Sequence, residues 1–169
     1  MSLVITGEIA EAIISIAEKY GCTPEEYITM KILDDLDPKT RLKIYAGLFK
    51  KYHLEAKKLA EKGDIVQAGE KYWGAITALL NIVGELKNVS HYSHSDYWDI
   101  MEMIIAETQD DEIRRLFATA EKMHANYYHG FIRKENFPSY TKDAEKLIQK
   151  IIEYIGKINR DIAKELTRK

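Results

Sequence analysis

The residues of this chain whose types could do chemistry are its five histidines and the arginines near them. Cleaving a phosphodiester needs a proton-transfer group and a cation that converge on one phosphate. Arg114 and Arg115 precede His124 by ten and nine residues. On a helix turning about 100° per residue, Arg115 and His124 therefore face opposite ways. Arg133 falls after both His124 and His129. Those two histidines, five residues apart, point about 140° away from each other, unlike the i, i+4 pair that grips zinc from one helix face. No residue is assigned a catalytic role on this pattern. His124 aligns instead with Phe117, Ala120 and Tyr128, which predicts a histidine at the edge of a core with one ring nitrogen satisfied.

His91, His94 and Asp96 lie within six residues, a donor set that could hold a divalent metal if further ligands arrived. With no cysteine or second histidine cluster to complete four ligands, loop polarity and helix capping explain them better, so neither a metal nor a cofactor is assigned. Tyr72, Trp73 and Trp98 fall on or beside apolar stripes and read as core aromatics rather than base-stacking platforms. Lys50, Lys51, Lys57 and Lys58 share one outer face. It reads as solvated, and it is also the best phosphate-binding candidate. Arg114, Arg115 and Lys122 make the second such cluster.

The elements that must position these residues are helical. Residues 1–36 form an arm: an extended start at Leu3 to Thr6, a helix through Ile9, Ile13, Ile16 and Ala17, a break at Gly21-Cys22, and a second helix. That second helix opens on Thr23 as N-cap, with Pro24 in the first helical position and Glu26 completing a capping box. Strand, helix, turn, helix is also the outline of a ribbon-helix-helix arm, but this strand lacks the Arg, Lys, Asn or Gln that would contact base edges. Packing or dimerisation is the better reading of the arm.

Residues 37–169 form the bundle. Asp37-Pro38 starts a long helix to about Glu61, and Gly63 sits where a left-handed C-terminal turn residue belongs. Asp64, followed three residues later by Gln67, then opens the next helix. The small residues Ala68, Gly69, Gly74 and Ala75 let a neighbour approach that helix closely. A polar loop from Lys87 to His94 leads to a Ser95 N-cap and a shorter helix through Trp98, Met101 and Ile105. Acidic residues between Thr108 and Asp111 open a helix ending near Gly130, Phe137-Pro138-Ser139 turns the chain, and one last helix spans about Thr141 to Leu166.

With 169 residues the chain can bury one substantial core. Its net charge of −2 gives no global pull toward nucleic acid, so any such binding rests on a local patch. The single cysteine, Cys22, cannot form an intrachain disulfide, and the N-terminus has no basic-then-apolar secretory design. No apolar run approaches the roughly 20 residues of a membrane span. A cytoplasmic protein with no membrane role is expected.

The stretch from Lys58 to Ala75, together with Leu36-Asp37-Pro38 and the run Ala120-Glu121-Lys122-Met123-His124-Ala125-Asn126-Tyr127-Tyr128, resembles the archaeal PaREP family, which is grouped with the HEPN superfamily of helical proteins. The resemblance covers roughly Asp37 to Gly130. It implies an all-α up-and-down bundle of four to five main helices, HEPN-like, behind the short helical arm. Ribonucleases of that superfamily carry an arginine followed within a few residues by a histidine, a pattern this chain lacks. The resemblance therefore implies a non-catalytic binding module whose ligand is a nucleotide or RNA, or a partner protein in a toxin–antitoxin-like or stress system. Its candidate site is His124, Asn126 and Tyr127, with Arg114 and Arg115 as nearby cations. The alternatives are an atypical ribonuclease and a structural protein-interaction module. A homodimer is expected.

Overall fold

The computed structural model describes residues 4–20, 23–33 and 35–168. Those residues form eight α-helices and one 3-10 turn: α1 (Glu8–Tyr20), α2 (Pro24–Leu33), α3 (Pro38–Glu61), α4 (Ile65–Lys87), α5 (His94–Thr108), α6 (Glu112–His129), the turn at Lys134–Asn136, α7 (Phe137–Ile158) and α8 (Arg160–Thr167). The protein is an all-α bundle, and its five long helices are α3 to α7. Among the described residues there is no strand: Val4, Ile5 and Thr6 are irregular. Leu3 and the expected break at Gly21-Cys22 lie outside the described residues, as does the Glu26 side chain.

The α3–α4 hairpin shows how closely the local chemistry dictates the turn. Gly63 adopts φ +75°, a left-handed conformation that costs a residue with a Cβ more than glycine. Its N–H donates to the Ala60 carbonyl, and the Asp64 N–H donates to Leu59, which satisfies the last carbonyls of α3. Asp64 then caps α4 by accepting from the Gln67 N–H at 3.2 Å. Asp37 caps α3 in the same way from the Thr40 N–H at 3.1 Å.

Helix α4 is the centre of the bundle. It packs on α3, α5, α6 and α7, and its inner side, from Ala68 through Ile76, Leu79, Leu80 and Val83, is buried. Gly69 lets α6 come close: a Cβ there would stand 3.1 Å from the Met123 carbonyl oxygen. Arm helix α2 reaches the same core through Leu33, which is buried among bundle residues. Arg41 pins its end by donating to the Leu36 carbonyl at 2.7 Å while forming a two-pronged pair with Glu85 at 2.9 and 2.7 Å.

The C-terminal region departs from the sequence expectation. The single long helix is two, α7 and α8, because Asn159 takes an extended conformation and caps α8 by accepting from the Asp161 and Ile162 N–H groups. Phe137-Pro138-Ser139, read as a turn, is instead the first turn of α7, where proline's missing N–H costs nothing.

Candidate functional site

His124 stands on α6 where it meets α4. Its Nδ1 is 2.7 Å from a Glu70 carboxylate oxygen on α4, and both side chains are mostly buried. A carboxylate only accepts, so Nδ1 carries a proton. The ring stacks on Trp73 at 5.2 Å, and Tyr128, one helical turn onward, meets it edge-on at 5.4 Å. His94, from the first turn of α5, also stacks on Trp73 at 5.3 Å, leaving its ring 5.5 Å from that of His124. Two imidazoles, one carboxylate and a buried indole thus form one cluster drawn from three helices. His94 belongs to it through tertiary packing, which no spacing in the sequence could reveal.

The other residues singled out from the sequence go elsewhere. Asn126 is buried, and its Oδ1 accepts from the Ile132 N–H at 2.6 Å, fixing the chain beyond α6. Tyr127 is exposed beside Tyr128, ring centroids 5.2 Å apart. Arg114 pairs with Glu102 at 2.7 Å and Arg115 with Asp143 at 2.6 Å. Both lie at the opening turns of α6, about 13 Å or more along the helix from His124. Neither arginine is in the His124 cluster.

The polar loop also resolves differently. Ser93, rather than Ser95, caps α5 in a reciprocal box with Asp96. The Asp96 carboxylate accepts from the Ser90 hydroxyl and from the Tyr92 and Ser93 N–H groups. Burial acts to raise its pKa, but these bonds outweigh it and hold the carboxyl below its ordinary value. His91 turns inward: Nδ1–H donates to the Val89 carbonyl at 2.8 Å, and Nε2 lies 3.3 Å from the Tyr45 hydroxyl. It packs so tightly that a Cβ on Gly84 would stand 2.5 Å from its own Cβ. His91, His94 and Asp96 therefore occupy three different environments. Among the described residues no group of three or more His, Cys, Asp or Glu is arranged to hold a metal ion.

Two concavities open beneath the arm on the α3–α4 face. The outer cleft runs past Glu70, Lys71, Tyr127 and Tyr128 to the start of α2 at Thr23 and Pro24, and has a volume of about 370 Å³. Lys71 is the cation there, 4.9 Å over the Tyr52 ring and 3.2 Å from Glu55. The inner pocket, a small recess of about 50 Å³, is walled by Tyr45, Tyr92, Tyr97, Leu33 and Leu48, with Asn81 on its α4 side. Tyr52 and Gly74 border both. The lysine face on α3 is divided by its partners. Lys57 pairs with Glu145 at 3.4 Å, Lys51 lies over Tyr52, and Lys50 borders a shallow mixed-charge groove beside α8.

Residues 44–148 match the family model described as the archaeal PaREP1/PaREP8 family. No curated protein and no solved structure matches the chain.

Proposed function

Because the chain belongs to the archaeal PaREP1/PaREP8 family, and the matched span holds every bundle residue that borders the outer cleft, we propose that the protein is a non-catalytic module that binds a nucleotide or RNA in that cleft. The observation that carries the reading is the convergence of Lys71 with the exposed rings of Tyr127 and Tyr128 at one opening. An ammonium group supplies a phosphate contact, and tyrosine faces accept bases by stacking, which is sequence-tolerant. The His124–Glu70 pair gives the floor a polar group of fixed orientation. Arg114 and Arg115 are engaged by carboxylates at the far end of α6 and play no part in this site.

A ribonuclease is the second reading, and one observation favours it: His94 and His124 lie side by side, with Glu70 fixing the proton position on His124. One imidazole could accept a proton while the other donates. One assay separates the two. Purified protein is expected to bind a short RNA weakly, with affinity falling as salt rises because neutralised phosphates release counterions. Lys71→Ala should lower both the affinity and the salt dependence, and no RNA should be cleaved. Multiple turnovers in the wild type that vanish in His124→Ala would overturn the binding reading and establish the catalytic one. A partner protein held by apolar contacts would instead bind with little dependence on salt.

A further inference from the structure

Helix α1 has 13 residues and one buried side chain, Ala17, and among the described residues it packs chiefly on α2. Ile9, Ala12 and Tyr20 are exposed, and Ile13 and Ile16 are half-buried. At about 100° per residue, these five positions fall within about 60° either side of Ile9. Their spacing of three and four residues is that of the apolar seam along which two helices pair. A helix of this length is marginal in water without tertiary support, so the stripe is a surface that association would cover. The charges beside it say what covers it. Glu8 and Lys19 stand at opposite ends of α1 but on the same flank of the stripe, about 100° and 80° round from Ile9, and neither is held in an ion pair with a described residue. Glu11 and Glu18 lie on the far side of the helix, about 160° and 180° from Ile9.

We propose that α1 pairs antiparallel with α1 of a second copy of this chain, with the two-fold axis passing between Ala12 and Ile13. Ile9 of each copy then packs on Ile16 of the other, and the small Ala12 at the crossing lets the two helices approach closely. Reversing one helix brings Lys19 of one copy within about two residues, or about 3 Å of helix rise, of Glu8 of the other, and the two-fold repeats that pair at the far end. A parallel pair would instead set Glu8 against Glu8 and Lys19 against Lys19. The surface is therefore complementary to itself in one orientation. It matches a lipid surface poorly, because helices that lie on membranes carry lysine and arginine on their polar face, whereas α1 carries three glutamates and one lysine.

The test is sedimentation equilibrium of the full-length protein at low salt, with charge reversals at two exposed positions on which the bundle does not depend. The wild type should be a dimer at micromolar concentration. Glu8→Lys alone and Lys19→Glu alone each put like charges together at both ends of the helix pair. Each should raise the dimer dissociation constant about fivefold or more, since two exposed ion pairs are lost and replaced by repulsion. The double variant carrying Glu8→Lys and Lys19→Glu restores opposite charges and should return to the wild-type constant. In a parallel pair the single reversals would only exchange one repulsive contact for another and leave the constant unchanged. A monomeric wild type, single reversals that dimerise as tightly as the wild type, or a double variant no tighter than the single ones overturns the antiparallel pairing.

Discussion

At Glu145 one carboxylate on α7 joins three helices. It accepts from the Tyr72 hydroxyl of α4 at 3.0 Å, lies 2.9 and 3.0 Å from the His53 Nε2 of α3, and faces Lys57 at 3.4 Å. Burial acts to raise its pKa, but the bonds and charges of His53, Lys57 and Tyr72 prevail and hold it below its ordinary 4.5. The Tyr72 phenol is pushed well above its own ordinary value, first by burial and then by the adjacent carboxylate. A carboxyl whose pKa is lowered on folding adds stability that is complete above its unfolded value and disappears as acid protonates the folded form. The wild type should therefore lose melting temperature on acidification below about pH 4.5 more steeply than Glu145→Gln. Parallel melting curves for the two proteins from pH 6 to pH 3 would refute a role for this carboxylate. Nothing in the sequence marks Glu145, since its partners stand 92 and 73 positions away. Asn126 is the reverse case: its neighbourhood in the sequence made it a ligand candidate, but folding uses its amide to hold the backbone of Ile132.

Among the elements, the α3–α4 hairpin is the one whose every signal is local. Gly63 supplies the left-handed turn and Asp64 the cap, so residues adjacent in the chain decide it. Asp64→Ala should cost about 0.5–2 kcal/mol, the usual loss of an N-cap, and lower the melting temperature accordingly. An unchanged melting point would mean that the cap contributes nothing. The C-terminal break was not legible in the same way. The apolar positions Leu147, Ile148, Ile151 and Ile155 continue in helical register to Ile162, so periodicity runs through the break. Only the extended backbone at Asn159 ends α7, and its side chain starts α8. Asparagine favours caps through its short amide, but it also occurs inside helices, and the packing of α8 against α7 and α3 settles which. The opening of α5 shows the same ambiguity on a smaller scale, where two nearby serines compete and the reciprocal bond with Asp96 selects Ser93.

For the whole molecule, the arm leaves apolar residues in solvent: Val4 is 78%, Ile9 67% and Ile14 46% exposed. No helix of the described residues is long and apolar enough to cross a membrane. A second copy covering this surface would remove it from water, which is the basis for the expected homodimer. Light scattering at micromolar concentration should give twice the 19.6 kDa chain mass, and Ile9→Asp combined with Ile14→Asp should shift it toward the monomer. A monomer mass for the wild type would reject dimerisation. Residues near one another in the chain were enough to determine the helical class, the order of the long helices and the capped hairpin, because hydrogen-bond caps and the 3.6-residue period act over a few residues. They also set His124 at the edge of the core. Its partners are a different matter. Glu70 and Trp73 on α4, and His94 on α5, come to it from up to 54 positions away, and Asn81 lines one pocket with rings contributed by α3, α5 and the loop between α4 and α5. Those meetings follow from how closely α4 admits its neighbours, a property of packing that periodicity along one helix does not encode.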